Sequence, residues 1–136
     1  MNHQKGKRGQ LIFDNGLLAT FCQFKPEGNT RGNDTIILIA DQGFMSIVTE
    51  IENHLKMGNS VLAVELFLTG QVIPNGMSVS HTSMLLSTSG LRALGFQVAQ
   101  LVSILHWYRH VYKPEELILE SKGRVTGIIA QLAEQL

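Results

Sequence analysis

Leu117–Ala130 reads Leu-Ile-Leu-Glu-Ser-Lys-Gly-Arg-Val-Thr-Gly-Ile-Ile-Ala, and this stretch decides the fold class. It begins as a short apolar strand, turns at a single glycine and continues at once in a helical pattern. Two earlier runs, Thr35–Ala40 and Ser60–Leu66, have the β-branched, apolar character of strands buried on both faces of a parallel sheet. Leu117–Leu119 is predicted to be the third buried strand of that sheet.

Amphipathic helical segments alternate with these strands. In the first helix, Ser46 is placed to form the N-terminal cap and Gly58 to end the helix. The apolar residues at helical spacing are Ile47, Val48, Ile51 and Leu55 in the first helix, Leu94, Val98, Leu101, Val102 and Leu105 in the second, and Val125, Ile128, Ile129, Leu132 and Leu136 in the last. Strands that alternate with such helices imply parallel pairing, right-handed crossovers and helices on both faces of the sheet.

The N-terminal part of the chain has a different pattern. Gln10–Asp14 and Leu17–Phe24 are β-like runs separated by Asn15-Gly16, a strong signal for a two-residue hairpin. We therefore predict an α/β fold with three layers, α/β/α, and a mostly parallel sheet preceded by an N-terminal β-hairpin. No internal repeat or interdomain linker interrupts the pattern, so residues 1–136 are expected to form a single domain.

The composition limits the classes of function. Hydrophobic residues make up 44% of the 136 residues and charged residues 16%, which is typical of a packed domain and not of a disordered chain. Eleven basic and eleven acidic side chains cancel, so neither nucleic acid nor a membrane is expected as a partner, and Lys5, Lys7 and Arg8 are interpreted as a solvated tail.

The single cysteine, Cys22, lies in an apolar run and is predicted to be a buried, unreactive thiol. A polar start and the lack of an apolar run of ~20 residues predict a soluble domain without a signal peptide or transmembrane segment.

Ligands of open α/β sheets bind beyond the carboxyl ends of the strands. In this chain the loops at those ends are Asp41–Met45, Phe67–Ser80 and Ser121–Arg124. Gly43 and Phe44 could point backbone N–H groups at a developing negative charge, because glycine lets the backbone approach closely; the alternative is a simple strand-to-helix turn. The remaining residues expected to line the pocket are Asp41, Gln42, Gly70, His81, Lys122 and Arg124.

The strand–glycine–helix order around Gly123 is also that of the nucleophile turn in hydrolases with the G-x-S-x-G pattern. The favoured alignment puts Ser121 on the first glycine, Gly123 on the serine and Val125 on the second glycine, so the site lacks its attacking group. In a second alignment Ser121 is the nucleophile, but Leu119 then replaces the first glycine and crowds the sharp turn. Ser121 and Gly123 are therefore the two candidate catalytic positions.

The acid and the histidine that would assist a serine nucleophile do not follow Ser121 in the expected order. In hydrolases of this type an acid and then a histidine follow the nucleophile. After Ser121 the only acid is Glu134, and all five histidines, His3, His54, His81, His106 and His110, lie upstream. His106 and His110 are at helical i, i+4 spacing without a third ligand in the same stretch, so neither a metal nor another cofactor is predicted.

Three pieces of sequence occur in an order that is typical of a known family. They are Thr35–Ala40 with Asp41-Gln42-Gly43-Phe44 directly after it, Gly58–Leu66, and Met84–Tyr108. This order resembles the central part of the α/β-hydrolase fold. The phrase Val-Leu-Ala-Val-Glu-Leu that ends at Leu66, followed by Thr69-Gly70, is similar to that of the acetyl xylan esterase and dienelactone-hydrolase-like branches.

The resemblance implies an arrangement of strands and a place for the oxyanion site. Thr35–Ala40 would lie between Ser60–Leu66 and Leu117–Ser121, and the loop Asp41–Phe44 would hold the oxyanion site. Where the family has histidine-glycine this chain has Asp41-Gln42-Gly43, and a carboxylate there would oppose an oxyanion. The family's later strands, which bring the acid and the histidine, are absent from this sequence. We therefore expect either a piece of a longer polypeptide or a chain that pairs with itself through the exposed strand Leu117–Ser121.

The predicted function is that of a partial, degenerate α/β-hydrolase domain, similar to acetyl xylan esterase-type carboxylic ester hydrolases and not catalytic alone. If further segments complete it, the resemblance implies a serine ester hydrolase that acts on a small ester. A flavodoxin-like or receiver-like binding module also alternates strands and helices, and Asp41 and Glu65 are a faint counterpart of a receiver's acidic cluster. A third possibility is a non-catalytic interaction domain that uses the exposed sheet edge.

Overall fold

The computed structural model describes residues 6–13, 18–27, 34–66 and 93–135 of the chain. These ranges contain five strands, β1 (Lys7–Ile12), β2 (Leu18–Phe24), β3 (Thr35–Ala40), β4 (Ser60–Glu65) and β5 (Leu117–Lys122). They also contain a 3₁₀ turn, Phe44–Ser46, and three helices, α1 (Val48–Lys56), α2 (Ala93–Tyr112) and α3 (Arg124–Glu134). None of these three helices is long and apolar enough to cross a membrane.

All five strands belong to one sheet, in the order β1-β2-β4-β3-β5. β3 pairs in parallel with β4 and with β5, whereas β2 pairs antiparallel with both β1 and β4. The sheet is therefore mixed, because the two N-terminal strands extend it by antiparallel pairing. The predicted Asn15-Gly16 turn between β1 and β2 lies outside the described residues. β3 lies between β4 and β5, as the family resemblance implied, so the carboxyl ends of these three strands meet at one end of the sheet.

The central strand β3 is buried along its whole length, and its alternate residues belong to two separate apolar clusters. On one face Leu38 belongs to the same apolar cluster as Ile51 of α1. On the other face Ile37 shares a cluster with Leu101 of α2 and Ile129 of α3. Each such buried side chain contributes about 1.5–3 kcal/mol through removal of apolar surface from water. The continuous β-branched run is therefore explained by burial on two sides.

The ends of α1 agree with the sequence in one respect and differ in another. Gly58 follows the last turn with φ 85°, a conformation that favours glycine, so it ends the helix as predicted. Ser46 does not cap α1, because its hydroxyl donates a hydrogen bond to the carbonyl of Gly43 (2.8 Å) within the 3₁₀ turn. The residue at the N-cap position is Ile47, which is buried in the core.

β5 and α3 are less buried than the sequence predicts. β5 lies at the end of the sheet, so its residues are half-buried or exposed instead of fully buried. In α3 the buried residues are Thr126, Ile129, Ala130 and Ala133, whereas Val125, Ile128 and Leu132 are 47%, 50% and 39% exposed. The small alanines let α3 lie close to its neighbours, and periodicity alone cannot reveal which apolar flank faces the sheet. The expected stripe is therefore wrong for these three residues, and Leu136 lies outside the described residues.

The structure also differs from the predicted burial or location of several residues in α1, α2 and β1. Val48 in α1 and Leu94 in α2 are exposed, and the core positions of α2 are Val98, Leu101, Ile104 and Tyr108. Lys7 and Arg8 belong to β1 and not to a solvated tail. Cys22 is half-buried, and burial raises the pKa of its thiol while the charge of Arg8 lowers it to a smaller extent. A thiol of raised pKa is a poor nucleophile at neutral pH, which agrees with the predicted lack of reactivity.

Candidate functional site

The candidate site lies at the carboxyl ends of β3, β4 and β5. The segment Asp41–Phe44 follows β3, Glu65 ends β4, and Gly123 joins β5 to α3. Gly70 and His81, which were expected to line the pocket from the loop after β4, lie outside the described residues.

The side chain of Asp41 reaches across the end of the sheet and binds the start of α3. Its Oδ1 accepts a hydrogen bond from the backbone N–H of Thr126 (2.8 Å), and its Oδ2 accepts one from the backbone N–H of Val125 (3.2 Å). The backbone of Asp41 is held as well, because its N–H donates to the carbonyl of Lys122 (3.1 Å). The first N–H groups of a helix have no partner within the helix and carry partial positive charge, so a carboxylate is a favourable cap.

Gly123 occupies the position that a nucleophilic serine has in the favoured alignment. Its backbone has φ 127° and ψ 169°, a conformation that L-residues with a side chain rarely adopt. A Cβ built on Gly123 would lie within 3.0 Å of the carboxyl carbon and both carboxylate oxygens of Asp41, which is closer than real Cβ atoms approach. The Asp41 carboxylate therefore fills the space that any side chain at position 123 would need.

Ser121, the alternative nucleophile, lies on a different side of the turn. It is the residue before the end of β5, it is exposed, and it pairs with Ile39 of β3. Its hydroxyl oxygen lies beside α3, 3.9 Å from the place that a Cβ of Gly127 would occupy. Within the described ranges, no hydrogen bond joins the Ser121 hydroxyl to a histidine.

The N–H groups expected to form the oxyanion site are already bonded. The N–H of Phe44 donates to Oε1 of Glu65 (3.0 Å), and the N–H of Gly43 donates to the carbonyl of Ala40 (3.2 Å). Glu65 is 1% exposed, and its Oε2 also accepts a hydrogen bond from the hydroxyl of Thr20 (3.4 Å). A carboxylate thus occupies the direction from which an oxyanion would approach Phe44. From the sequence, Glu65 was interpreted only as an acid at a strand end. A charged residue inside an apolar strand nevertheless indicates that its side chain has a buried hydrogen-bond partner.

The predicted pocket residues after β5 do not converge on this site. Lys122 turns toward the opposite side, where its Nζ donates to the carbonyl of Ser46 (2.7 Å) and to Oε1 of Glu50 (2.9 Å). This hydrogen bond to Lys122 is the main reason why the pKa of Glu50 is lowered from its ordinary value. Gln42 and Arg124 are exposed; Gln42 follows Asp41 in the chain, and Arg124 is the first residue of α3.

The histidines of the described ranges are not part of the site. Nε2 of His54 lies 2.8 Å from Oε2 of Glu120, so this pair joins α1 to β5. His106 and His110 are exposed on α2, where they line a shallow depression together with Trp107, Arg109 and Lys113. Among the residues that the structure describes, no three histidine, cysteine, aspartate or glutamate side chains are grouped so that they could hold a metal ion.

Comparison with known proteins identifies the architecture. No model of a known protein family matches the chain, and no curated protein matches it. The chain is similar to a solved structure of the esterase Est22, with 12% sequence identity and a TM-score of 0.56, over 96% of this chain and 40% of that chain. A second structure of esterase Est22 has 13% identity and a TM-score of 0.55, and 39% of its chain is covered. At this identity the likeness concerns the fold alone, and the present chain spans about 40% of the length of that esterase. The chain therefore has an α/β fold similar to part of an esterase.

Proposed function

We propose that the chain is a three-layer, hydrolase-like α/β domain that does not catalyse ester hydrolysis by itself. Its branch is that of the acetyl xylan esterases and dienelactone-hydrolase-like proteins. The observation that carries the proposal is the pair of hydrogen bonds from Val125 and Thr126 to the Asp41 carboxylate, which fills the space beside Gly123. The esterase-like fold supports the hydrolase part of the proposal, and the filled site supports the non-catalytic part.

The chemistry of acyl transfer explains why such a site is inert. Attack on an ester produces an oxyanion, which needs free N–H donors aimed at it, and the loss of one such donor lowers kcat by about 10²–10³-fold. In this chain the N–H of Phe44 is bonded to Glu65, and the first N–H groups of α3 are bonded to Asp41. Two carboxylates therefore stand where negative charge would have to develop. The position of the nucleophile is Gly123, which has no side chain to attack a substrate.

A catalytic role of the fold would require further segments. In the acetyl xylan esterase-like reading, additional strands would supply an acid and a histidine, and the substrate would be a small carboxylic ester. The present chain would then contribute the central part of the sheet and the Asp41-capped turn. As it stands, its role in this proposal is to bind or to support other segments of an assembly.

Hydrolysis of p-nitrophenyl acetate tests the proposal directly. The wild-type chain and the Ser121→Ala variant are expected to release p-nitrophenol at the same rate as buffer. Ser60→Ala is the matched control, because Ser60 begins β4 at the opposite end of the sheet. Turnover that is present in the wild type and in Ser60→Ala but lost in Ser121→Ala would make Ser121 the nucleophile and would refute the proposal.

A receiver-like module is the competing proposal, and it makes a different use of Asp41. A receiver needs an aspartate at a strand end that accepts a phosphoryl group with the help of Mg²⁺. In this chain both oxygens of Asp41 accept backbone N–H groups of α3, which opposes attack on an incoming phosphorus atom. Incubation with acetyl phosphate and Mg²⁺ is therefore expected to leave the mass of the protein unchanged. A phosphate adduct that is absent from Asp41→Asn would favour the receiver.

A further inference from the structure

The strand β5 has an open side. It is the last strand of the sheet, and no other strand in the described ranges pairs with its outer side. The carbonyl of Glu116 accepts the N–H of Thr35, and the carbonyl of Lys122 accepts the N–H of Asp41 (3.0 and 3.1 Å). Backbone groups alternate in direction along a strand, so the even-numbered residues bond toward β3. The odd-numbered residues Leu117, Leu119 and Ser121 consequently direct their N–H and C=O groups toward the open side.

An exposed apolar stripe lies on α3, the helix that packs against β5. Val125, Ile128 and Leu132 recur at spacings of three and four residues, so they form one row along the helix, and they are 47%, 50% and 39% exposed. α3 packs against α2 and against β5, and its buried residues Ile129 and Ala133 point into the core. An open strand edge and an apolar row on the helix beside it are features that proteins usually cover.

The charges on β5 select the kind of strand that can cover the edge. Glu120 and Lys122 stand two residues apart on the same face, where they meet His54 and Glu50 of α1. In an antiparallel pair, residues directly opposite each other lie on the same face and interact. A second β5 with Ser121 at the two-fold axis would bring Glu120 opposite the partner's Lys122, and Lys122 opposite the partner's Glu120. The edge is thus complementary to itself.

We propose that two copies of this chain associate through an antiparallel pair of β5 strands. The two-fold axis passes through Ser121, and the outward N–H and C=O groups of Ser121 bond to the partner's Ser121. An axis perpendicular to the sheet puts both α3 helices on the same face, so that their apolar rows at Ile128 bury each other. The two sheets then form one continuous sheet of ten strands, twice the five strands of one chain.

Other registers of the two strands are less favourable. Residues that face each other across the axis must lie on the same face, so the axis passes through a residue and not between two residues. An axis at Glu120 would bring two carboxylates together, and like charges directly opposite are destabilising. An axis at Leu119 avoids this repulsion and places Lys122 opposite the partner's Glu116, but Glu116 precedes the first residue of β5, so this charge pair lies outside the strand. Charge pairs at a rim add little affinity, and their effect is to fix the register.

Sedimentation of the full chain tests the association. The wild type is expected to sediment as a dimer, with twice the 15.0 kDa mass of one chain, and to dissociate on dilution. Ile128→Lys is expected to raise the dissociation constant by at least about tenfold, as for truncation of a central interface residue. Val111→Lys is the matched control, because Val111 is similarly exposed (53%) but lies on α2 and not in the apolar row of α3, and this variant is expected to dimerise like the wild type. Circular dichroism of each variant checks that it is folded.

Disulfide formation tests the register of the two β5 strands and does not rely on the Ile128→Lys variant. In a Cys22→Ala background, Ser121→Cys puts two thiols opposite each other with Cα atoms about 5.5 Å apart, a distance that a disulfide spans. Leu119→Cys leaves its two thiols about 13 Å apart along the strands. We expect a disulfide-linked dimer for Ser121→Cys and none for Leu119→Cys. Any of three results would overturn the proposal. The wild type could stay monomeric over a roughly hundredfold dilution series, or Ile128→Lys could leave the dimer as stable as before. The third is a disulfide that forms in Leu119→Cys and not in Ser121→Cys.

Discussion

Asp41 links the end of the central strand to the start of the last helix. A capping carboxylate usually comes from the residue that precedes the helix, whereas this one comes from 84 residues earlier in the chain. Its two hydrogen bonds hold Gly123 in a tight turn and occupy the first backbone N–H groups of α3. One side chain therefore accounts for the geometry of the turn and joins two elements that are distant in the chain.

Replacement of Asp41 by alanine is expected to lower the free energy of unfolding by about 1–3 kcal/mol, because two charge-assisted hydrogen bonds to the helix start are lost. Asp41→Asn keeps one acceptor oxygen and is expected to lose less. Urea unfolding followed by circular dichroism measures both values. Equal stability of wild type and Asp41→Ala would contradict a capping role.

Gly123→Ala is expected to destabilise the protein by at least about 1–3 kcal/mol, because alanine at φ 127° is strained and its Cβ meets Asp41. Part of this loss depends on Asp41. In an Asp41→Gly background the strain remains but the collision disappears, so the two substitutions should be coupled by about 0.5–3 kcal/mol. Gly95→Ala is the control, since no atom lies within 4 Å of its Cβ, and it should be neutral or stabilising. Simple additivity of Gly123→Ala and Asp41→Gly would argue against the contact.

At the scale of elements, α3 and α1 both contact β5, but through different kinds of interaction. α3 uses apolar contacts through its narrow row of small residues and Ile129. α1 uses polar contacts, which join His54 to Glu120 and Glu50 to Lys122. The edge strand therefore depends on both helices, in contrast to β3, which is buried along its whole length.

The face of α3 that packs on the sheet can be tested by a pair of truncations. Ile129→Ala, at a residue that is 0% exposed, is expected to lower the free energy of unfolding by about 2–5 kcal/mol. Val125→Ala, at a residue that is 47% exposed, is expected to cost less than about 1 kcal/mol in dilute protein. Chemical denaturation at low protein concentration gives both values. The reverse order would restore the stripe that periodicity predicts.

The contact between Glu50 and Lys122 predicts a dependence of stability on acid pH. Because the folded-state pKa of Glu50 is lowered, the stability that it contributes is present above its unfolded pKa and is lost as the pH falls through the lowered value. Glu50→Gln is therefore expected to flatten the acid side of the profile of unfolding free energy against pH. Lys122→Met should flatten it to a smaller extent, since Lys122 is the largest cause of the lowered pKa of Glu50 but a backbone hydrogen bond also lowers it. If neither variant changes that slope, the ion pair does not contribute.

At the scale of the whole molecule, the sequence predicted the alternation of buried strands and helices. It did not predict every pairing between strands. The β-branched run of β3 and the parallel pairing of β3 with β4 follow from local composition and from short connections. The antiparallel attachment of β2 to β4 was missed, because the hairpin signal concerns only neighbours in sequence. The likeness to esterase Est22 agrees with the predicted α/β class over 96% of this chain.

Some features of the candidate site could be predicted from the sequence, and others could not. The absence of a nucleophile at Gly123 and the presence of a carboxylate at Asp41 could be predicted, since both depend on which residue occupies one position. The hydrogen bonds of Asp41 with α3 and of Glu65 with Phe44 could not, because they join residues far apart in the chain whose approach depends on the strand order.

By itself, the sequence determined which segments form strands and helices, because the periodicity of apolar residues depends on local backbone geometry. It also determined that the turn after β5 contains a glycine, Gly123. Only the tertiary structure decided which described strands pair with one another, which flank of α3 faces the core and what the Asp41 carboxylate binds. Those properties arise from packing between distant segments, whose burial and hydrogen bonds exist only once the sheet has assembled.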